Sequence, residues 1–515
     1  ISGDLTRHEL STMGHSGGPI TGDMNWPEIY AVVFSLAPGK RNVNVIWAGS
    51  DDGLVHVTRD GGRTWTNVTP REMPEFGRVS QIDASSFDDG SAYVAVKRPL
   101  LDDTAPYIFR THDFGQTWTR IVNGILPNDY VHAVREDHTR RGLLYAGTRF
   151  GVYISHDDGG IWESLSLNLP RVPVNDLIVE KNALVLGTHG RSFYVLDNIE
   201  PLRQMTPALS ASPDPYLFKP ATAIRSGGAA QLQYWLKQPA QSLTIEVIDA
   251  AGRTAATLTG APPAGRGGAA PEGRAGGQGG GGGRGGGRGG SGGIPMGAGL
   301  HTAQWGMQYV GATTFDGMIL WGASTAGPMA VPGTYTVRLT VDGRTQTQPL
   351  TVVKHPLYKD VTQAHLEAQF ALAIRIRDKL SEANQAVIRI RDIKGQVTDR
   401  QSKSQDRRLK TVGDTLVKQI SAVEEEIYQV RNQSGQDPLN FPIKVNNRIG
   451  TLNRSVNTGD GAPIANAEPI FNDLVGELKV QTDKLETIIN RELPKLNAEL
   501  RRLGLTEVNA GRIIS

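Results

Sequence analysis

An eight-residue pattern returns three times in the first third of the chain and limits what that part can become. It reads Thr58-Arg59-Asp60-Gly61-Gly62-Arg63-Thr64-Trp65, then Thr111-His112-Asp113-Phe114-Gly115-Gln116-Thr117-Trp118, then Ser155-His156-Asp157-Asp158-Gly159-Gly160-Ile161-Trp162. The shared positions are a hydroxyl, an Asp two residues on, a Gly two further, and a closing Trp. Asp60, Asp113 and Asp157 can accept backbone N–H groups of their own turns. Gly62, Gly115 and Gly159 supply a positive φ. Trp65, Trp118 and Trp162 start the following strand with a large apolar anchor.

The aspartates stand 53 and 44 residues apart, a period that suits four-stranded propeller blades of about 40–50 residues. The flanking residues repeat as well. First strands are expected at 30–36, 79–84, 130–134 and 173–179, and second strands at 45–49, 92–97, 143–148 and 183–188. Third strands follow at 54–58, 107–110, 152–155 and 192–196, the second of them after an insertion at 98–106. Asp197 stands ten residues after Gly187, as Asp157 does after Gly147, and marks a degenerate fourth copy. Repeat units bury their faces against neighbours, so four blades alone leave apolar edges open. The expectation is a partial propeller over residues 1–199, completed by an upstream segment of the same precursor or by another subunit.

Beyond 200 the periodicity changes twice. Period-two alternation at 231–236, 243–249, 300–305, 334–341 and 348–353 predicts a β-sandwich over 200–354, immunoglobulin-like or fibronectin-like in its Val331-Pro332-Gly333-Thr334-Tyr335-Thr336-Val337 turn and strand. It is interrupted by 261–293, where 18 of 33 residues are Gly and too little apolar surface is available to offset the entropy of ordering. From 355 to 515 apolar residues recur at three-four spacing (Leu409, Val412, Leu416, Ile420, Val423), which predicts an antiparallel helical bundle. The fold class expected is therefore mainly β with a helical C-terminus.

Composition removes several function classes. A formal net charge of +2 gives no global field toward nucleic acid or membrane. No run approaches the roughly 20 apolar residues of a membrane span. With no cysteine, thiol catalysis and Cys-ligated zinc are excluded. No spaced His/Asp/Glu cluster points to a metal, and no cofactor is expected. The chain opens on Ile1 rather than Met, from which a longer precursor is expected. Near that end Gly14-His15-Ser16-Gly17-Gly18-Pro19 looks like the nucleophile motif of chymotrypsin-like proteases with His15 replacing the usual Asp. Only 15 residues precede Ser16, too few for that family's upstream His and Asp, and the stretch is read as a loop.

The three turns resemble the Asp-box of bacterial neuraminidase-type repeats. The order of the parts resembles large secreted bacterial proteins called neuraminidase-repeat glycosyl hydrolases or sortilin-like propeller proteins. The resembling residues are 47–55, 145–153, 187–192, Gly311-Ala312-Thr313-Thr314-Phe315, Leu320-Trp321-Gly322 and Asp437-Pro438-Leu439-Asn440. The resemblance implies a secreted, periplasmic or surface-exposed bacterial protein, with the Asp-box a folding element rather than a catalytic one. Arg149 and Arg191 follow equivalent strands and, with His189 at a tight turn and Asp51 and Asp52 in a loop, form the candidate ligand face. The function expected is a noncatalytic scaffold that binds proteins or glycans. The alternative is a glycoside hydrolase whose active site upstream blades complete.

Overall fold

The computed structural model describes residues 2–12, 30–206, 208–209, 212–261 and 293–511. The Ser16 stretch and most of the glycine-rich segment, 262–292, lie outside the described residues. The chain divides into two compact units, Ile1–Ser212 and Pro213–Ser515. The later strands and the helices share the second unit.

The first unit is a series of small antiparallel sheets in sequence order. β1 (Val33–Pro38), β2 (Ile46–Ser50), β3 (Val55–Thr58) and β4 (Thr66–Asn67) form the first. β5 (Arg78–Ala84), β6 (Ala92–Arg98), β7 (Asp103–Thr111) and β8 (Thr119–Arg120) form the second. β9 (Val131–Glu136), β10 (Leu144–Thr148), β11 (Val152–Ser155) and β12 (Glu163–Ser164) form the third, and β13 (Val174–Glu180), β14 (Ala183–Thr188) and β15 (Phe193–Asp197) the fourth. A short helix, α1 (Glu200–Gln204), follows β15. Each of these strands lies within a few residues of its expected position. The insertion becomes a 3-10 turn at Pro99–Leu101 and the start of β7.

Alternation places one row of side chains on each face of a sheet, and successive sheets pack on one another. Val55, Val57 and Trp47 of the first sheet share a core with Val79, Ile82 and Phe109 of the second. Tyr93, Ala95 and Ile108 share one with Val131, Val134 and Tyr153, and Val152 and Ile154 share one with Val174, Leu177 and Leu186. Every first strand also carries a register shift near its start: Phe34, Ser80, His132 and Asn175 stand at the shifts. Such bulges re-aim a side chain.

In the second unit β16 (Tyr216–Leu217), β18 (Ala230–Leu236) and β22 (Gly299–Trp305) form one sheet. β17 (Ala223–Ile224), β24 (Arg344–Val353), β23 (Gly333–Val341), β19 (Leu243–Ile248), β20 (Thr254–Ala261) and β21 (Ile294–Pro295) form another. The two sheets share a core of Leu232, Tyr234, Ile245, Val247, Trp305 and Val337. The glycine-rich segment leaves from β20 and returns at β21, and these strands pair in parallel at Gly260 and Ile294.

Four helices, α2 (Gln363–Ser402), α3 (Arg407–Ile427), α4 (Val445–Val456) and α5 (Ala467–Arg502), share one further core. Thr362 and Asp406 accept backbone N–H groups at the starts of α2 and α3, satisfying donors the helices leave open. The strand-free stretch 311–328 is held by buried asparagines. Asn447 both accepts from Trp321 N at 2.6 Å and donates to Trp321 O at 2.9 Å, and Asn453 donates to Ser324 O and Ala326 O at 2.9 Å.

Candidate functional site

The repeated turns share one hydrogen-bond scheme. Asp60 Oδ1 accepts from Arg63 N and Thr64 N at 2.9 Å, and Thr64 Oγ1 donates to Oδ2 at 2.8 Å. Asp113 accepts from Thr117 N at 2.9 Å and Asp157 from Ile161 N at 2.9 Å. The leading hydroxyl donates to each Asp and accepts the Gly N–H, at 2.9 Å for Gly62, 3.0 Å for Gly115 and 2.9 Å for Gly159. The carboxylates are thereby used within their own turns.

The candidate ligand-face residues all lie where first strands begin and second strands end. Asp51, Arg149 and His189 occupy the same position in three sheets: their N–H groups donate to Val32, Tyr130 and Pro173 carbonyls at 3.0, 3.0 and 2.9 Å. Asp51 and Asp52 are buried. Asp51 Oδ1 accepts from Val32 N at 2.9 Å, and Asp52 Oδ2 from Arg7 N at 2.7 Å and His8 N at 3.2 Å. Burial pushes the Asp51 carboxyl above its usual range, against the Val32 N–H that favours the anion. Arg149 lies over the Phe150 ring at 4.8 Å and over Tyr130 at 5.9 Å. His189 and Arg191 are exposed.

The corresponding position of the second sheet is Lys97, next to the register pair Val79–Val96 as Arg149 is to Val131–Thr148. Sequence reading missed it because the insertion interrupts the repeat there. Lys97 Nζ lies 2.9 Å from Nδ1 of His132, the residue at the bulge of β9. An ammonium can only donate, so Nδ1 accepts and the neutral ring carries its proton on Nε2. That nitrogen is buried and has no hydrogen-bond partner among the described residues. Burial first, then Lys97 and His189, drives His132 down to about 3. Burial and the Arg78 charge lower Lys97. Arg78 is the cross-strand partner of Lys97 and lies 5.0 Å over the Phe34 ring. Elsewhere in this unit cations meet acids, as in Arg98–Asp103, Arg110–Asp158 and Arg135–Asp83. Among the described residues Arg78, Lys97, Arg149, His189 and Arg191 form no such ion pair.

The opposite strand ends hold further acids. A cavity of about 370 Å³ is lined by Ser85, Tyr93, His112, Glu136, Arg141 and Asp158, among others. Glu136 accepts from Ser85 Oγ at 2.6 Å and Gly142 N at 3.0 Å, and burial raises its carboxyl. The Tyr93 hydroxyl stands between Glu136, at 3.3 Å, and Asp158, at 2.6 Å. Asp158 also takes Arg110 at 2.9 Å and His112 Nε2 at 3.0 Å. Ser91 Oγ lies 2.6 Å from His112 Nδ1, which completes a Ser–His–Asp line. Ser91 lines the same cavity, and its hydroxyl donates to Asp88 at 2.9 Å. A second cavity of about 430 Å³ lies by Lys40, Asp83 and Arg135. There Asp83 is held by Lys40 at 3.1 Å and Arg135 at 3.3 Å.

No protein-family model matches the sequence, and no curated protein does. Solved structures that resemble parts of the chain include YCF48 bound to D1 peptide, at 16% identity and TM-score 0.26, covering 40% of this chain and 63% of that one. YCF48 from Cyanidioschyzon merolae is 19% identical at TM-score 0.25 over 32% and 53%. The GH74 xyloglucanase from Xanthomonas campestris is 9% identical at TM-score 0.27 over 62% and 47%. The chain spans less than two thirds of the length of each. No helix among the described residues is long and apolar enough to cross a membrane.

Proposed function

We propose that the four sheets are blades of a β-propeller and that the chain is a recognition protein, part of a secreted or periplasmic scaffold. In this reading the Asp-type turns are folding elements, and the later sheets and helices are an immunoglobulin-like sandwich and a helical bundle that add binding surface. The ligand face is the strand end carrying Arg78, Lys97, His132, Arg149 and His189. The observation that carries the reading is that, among the described residues, none of these cations forms a close ion pair, while Asp51 and Asp129 at the same strand ends are engaged by backbone amides. Like charges held together raise the energy of the free protein, and an anionic group on a protein or glycan ligand relieves it.

The second reading, glycoside hydrolysis, requires two carboxylates roughly 5–10 Å apart flanking the scissile bond. Glu136 and Asp158 are near each other, but a phenol fills the gap between them and both are held by neighbouring donors. Asp51 and Asp52 hold backbone amides. Binding is thus supported over turnover.

Calorimetry with hexaglutamate and with oligogalacturonate, at low and high salt, tests this. Salt-sensitive binding of either, weakened about tenfold in Lys97→Gln, supports the reading. Release of reducing sugar from a polysaccharide panel, lost in Glu136→Gln or Asp52→Asn with folding unchanged, would replace it with the hydrolase.

A further inference from the structure

The outer face of the first sheet differs from its counterparts in three ways that share one explanation. Leu36 pairs in register with Ala48, as Ile82 does with Val94, Val134 with Ala146, and Leu177 with Leu186. Leu36, Ile82, Val134 and Leu177 are therefore structurally equivalent. Ile82, Val134 and Leu177 each face the preceding sheet and are 2%, 0% and 1% exposed, whereas Leu36 is 64% exposed.

The tryptophans repeat the contrast. Trp118 Nε1 donates to Val68 O at 2.7 Å, and Trp162 Nε1 to Ile121 O at 2.9 Å. Val68 and Ile121 each follow the fourth strand of the preceding sheet. Trp65 Nε1 is buried yet has no acceptor among the described residues. The turn glycines complete the set. A Cβ on Gly115 would sit 2.6 Å from Val68, and one on Gly159 would sit 2.4 Å from Ile121, but one on Gly62 would meet only its own Trp65, at 3.8 Å.

We propose that this face is the docking surface for a further four-stranded sheet of the same repeat, placed ahead of β1 in sequence. The order follows from the three resolved junctions, in each of which the Leu36-type residue faces the sheet that precedes it. The partner is specified chemically. An aliphatic residue directly after its fourth strand packs on Gly62, and the carbonyl of that residue accepts the Trp65 indole N–H. The fourth sheet of a second copy does not fit this description, because β15 is followed by α1 rather than by a fourth strand.

The test places a known repeat on the face. Residues 72–121, which carry β5–β8 and end on Ile121, are joined directly to residue 24, so that 24–32 form a nine-residue link to β1, the length of 69–77 and 122–130. The expected result is a monomer in which exchange of the Trp65 indole proton slows about tenfold or more relative to the parent. Leu36→Asp should lower the denaturant midpoint of the fusion and leave that of the parent unchanged. Equal exchange in fusion and parent, with Leu36→Asp acting alike in both, overturns the proposal. Two other outcomes also overturn it: a parent that sediments as a dimer with Trp65 protected gives the face to a second copy, and a monomeric parent with Trp65 already protected gives it to the chain's own residues.

Discussion

At the scale of single residues, the repeated aspartates show how a short motif stores its own stability. Hydrogen bonds from Thr64 N–H, Thr64 Oγ1 and Thr58 Oγ1 hold the Asp60 carboxyl down to about 2. For Asp113 and Asp157 burial pulls upward, and the turn donors outweigh it, so both also end below the ordinary value. A carboxyl lower in the folded state than in the unfolded chain contributes stability above the unfolded value, about 4, and loses it as pH falls toward the folded one. Amide protection within the Asp60 turn should therefore hold from neutral pH to about pH 4 and fall between about 4 and 2. Asp60→Asn should flatten that dependence, as followed by hydrogen exchange. At this scale the motif was fully legible, because the donors lie within four residues of the acceptor. Lys97 and His132 were not, because their encounter joins two sheets.

Between elements, the fit of neighbouring sheets explains why some glycines matter more than others. Gly62, Gly115 and Gly159 have φ of 91°, 81° and 85°, so alanine at any of them strains the backbone by about 1 kcal/mol. Gly115→Ala and Gly159→Ala must also displace Val68 or Ile121, which adds roughly 1–3 kcal/mol of overpacking. Denaturant unfolding should thus rank Gly62→Ala as the mildest of the three. In the second unit Arg225, at the end of β17, binds Asp460 at 3.1 Å, Gln369 of α2 at 2.7 Å, and the Met329 and Ala330 carbonyls at 3.0 and 2.6 Å. Arg225→Met would leave the buried Asp460 carboxylate without its cation, with only Ser226 Oγ to donate to it, and strip a donor from the two carbonyls, at a cost of about 3–5 kcal/mol. A fall of that size in unfolding free energy, partly restored by Asp460→Asn, checks it. Strand and helix positions were predictable from periodicity. The Arg225 contacts were not, since 235 residues separate it from Asp460.

For the whole molecule, a net charge of only +2 means that salt-sensitive binding must come from a local concentration of cations, not from a general field. The antiparallel repeat brings the second-strand ends to equivalent places, held by Lys97, Arg149 and His189 in three sheets and by Asp51 in the first. The expected acid partners for a ligand, Asp51 and Asp52, are instead tied to backbone amides of segments distant in sequence. By itself the sequence determined the repeat, its turns, the alternation of strands and the helical end, because those depend on periodicity and on hydrogen bonds within a few residues. Only the tertiary structure decided which charges stand unpaired, which acids are already engaged, and which apolar faces are left uncovered. Those depend on distances between sheets, and no local pattern encodes them.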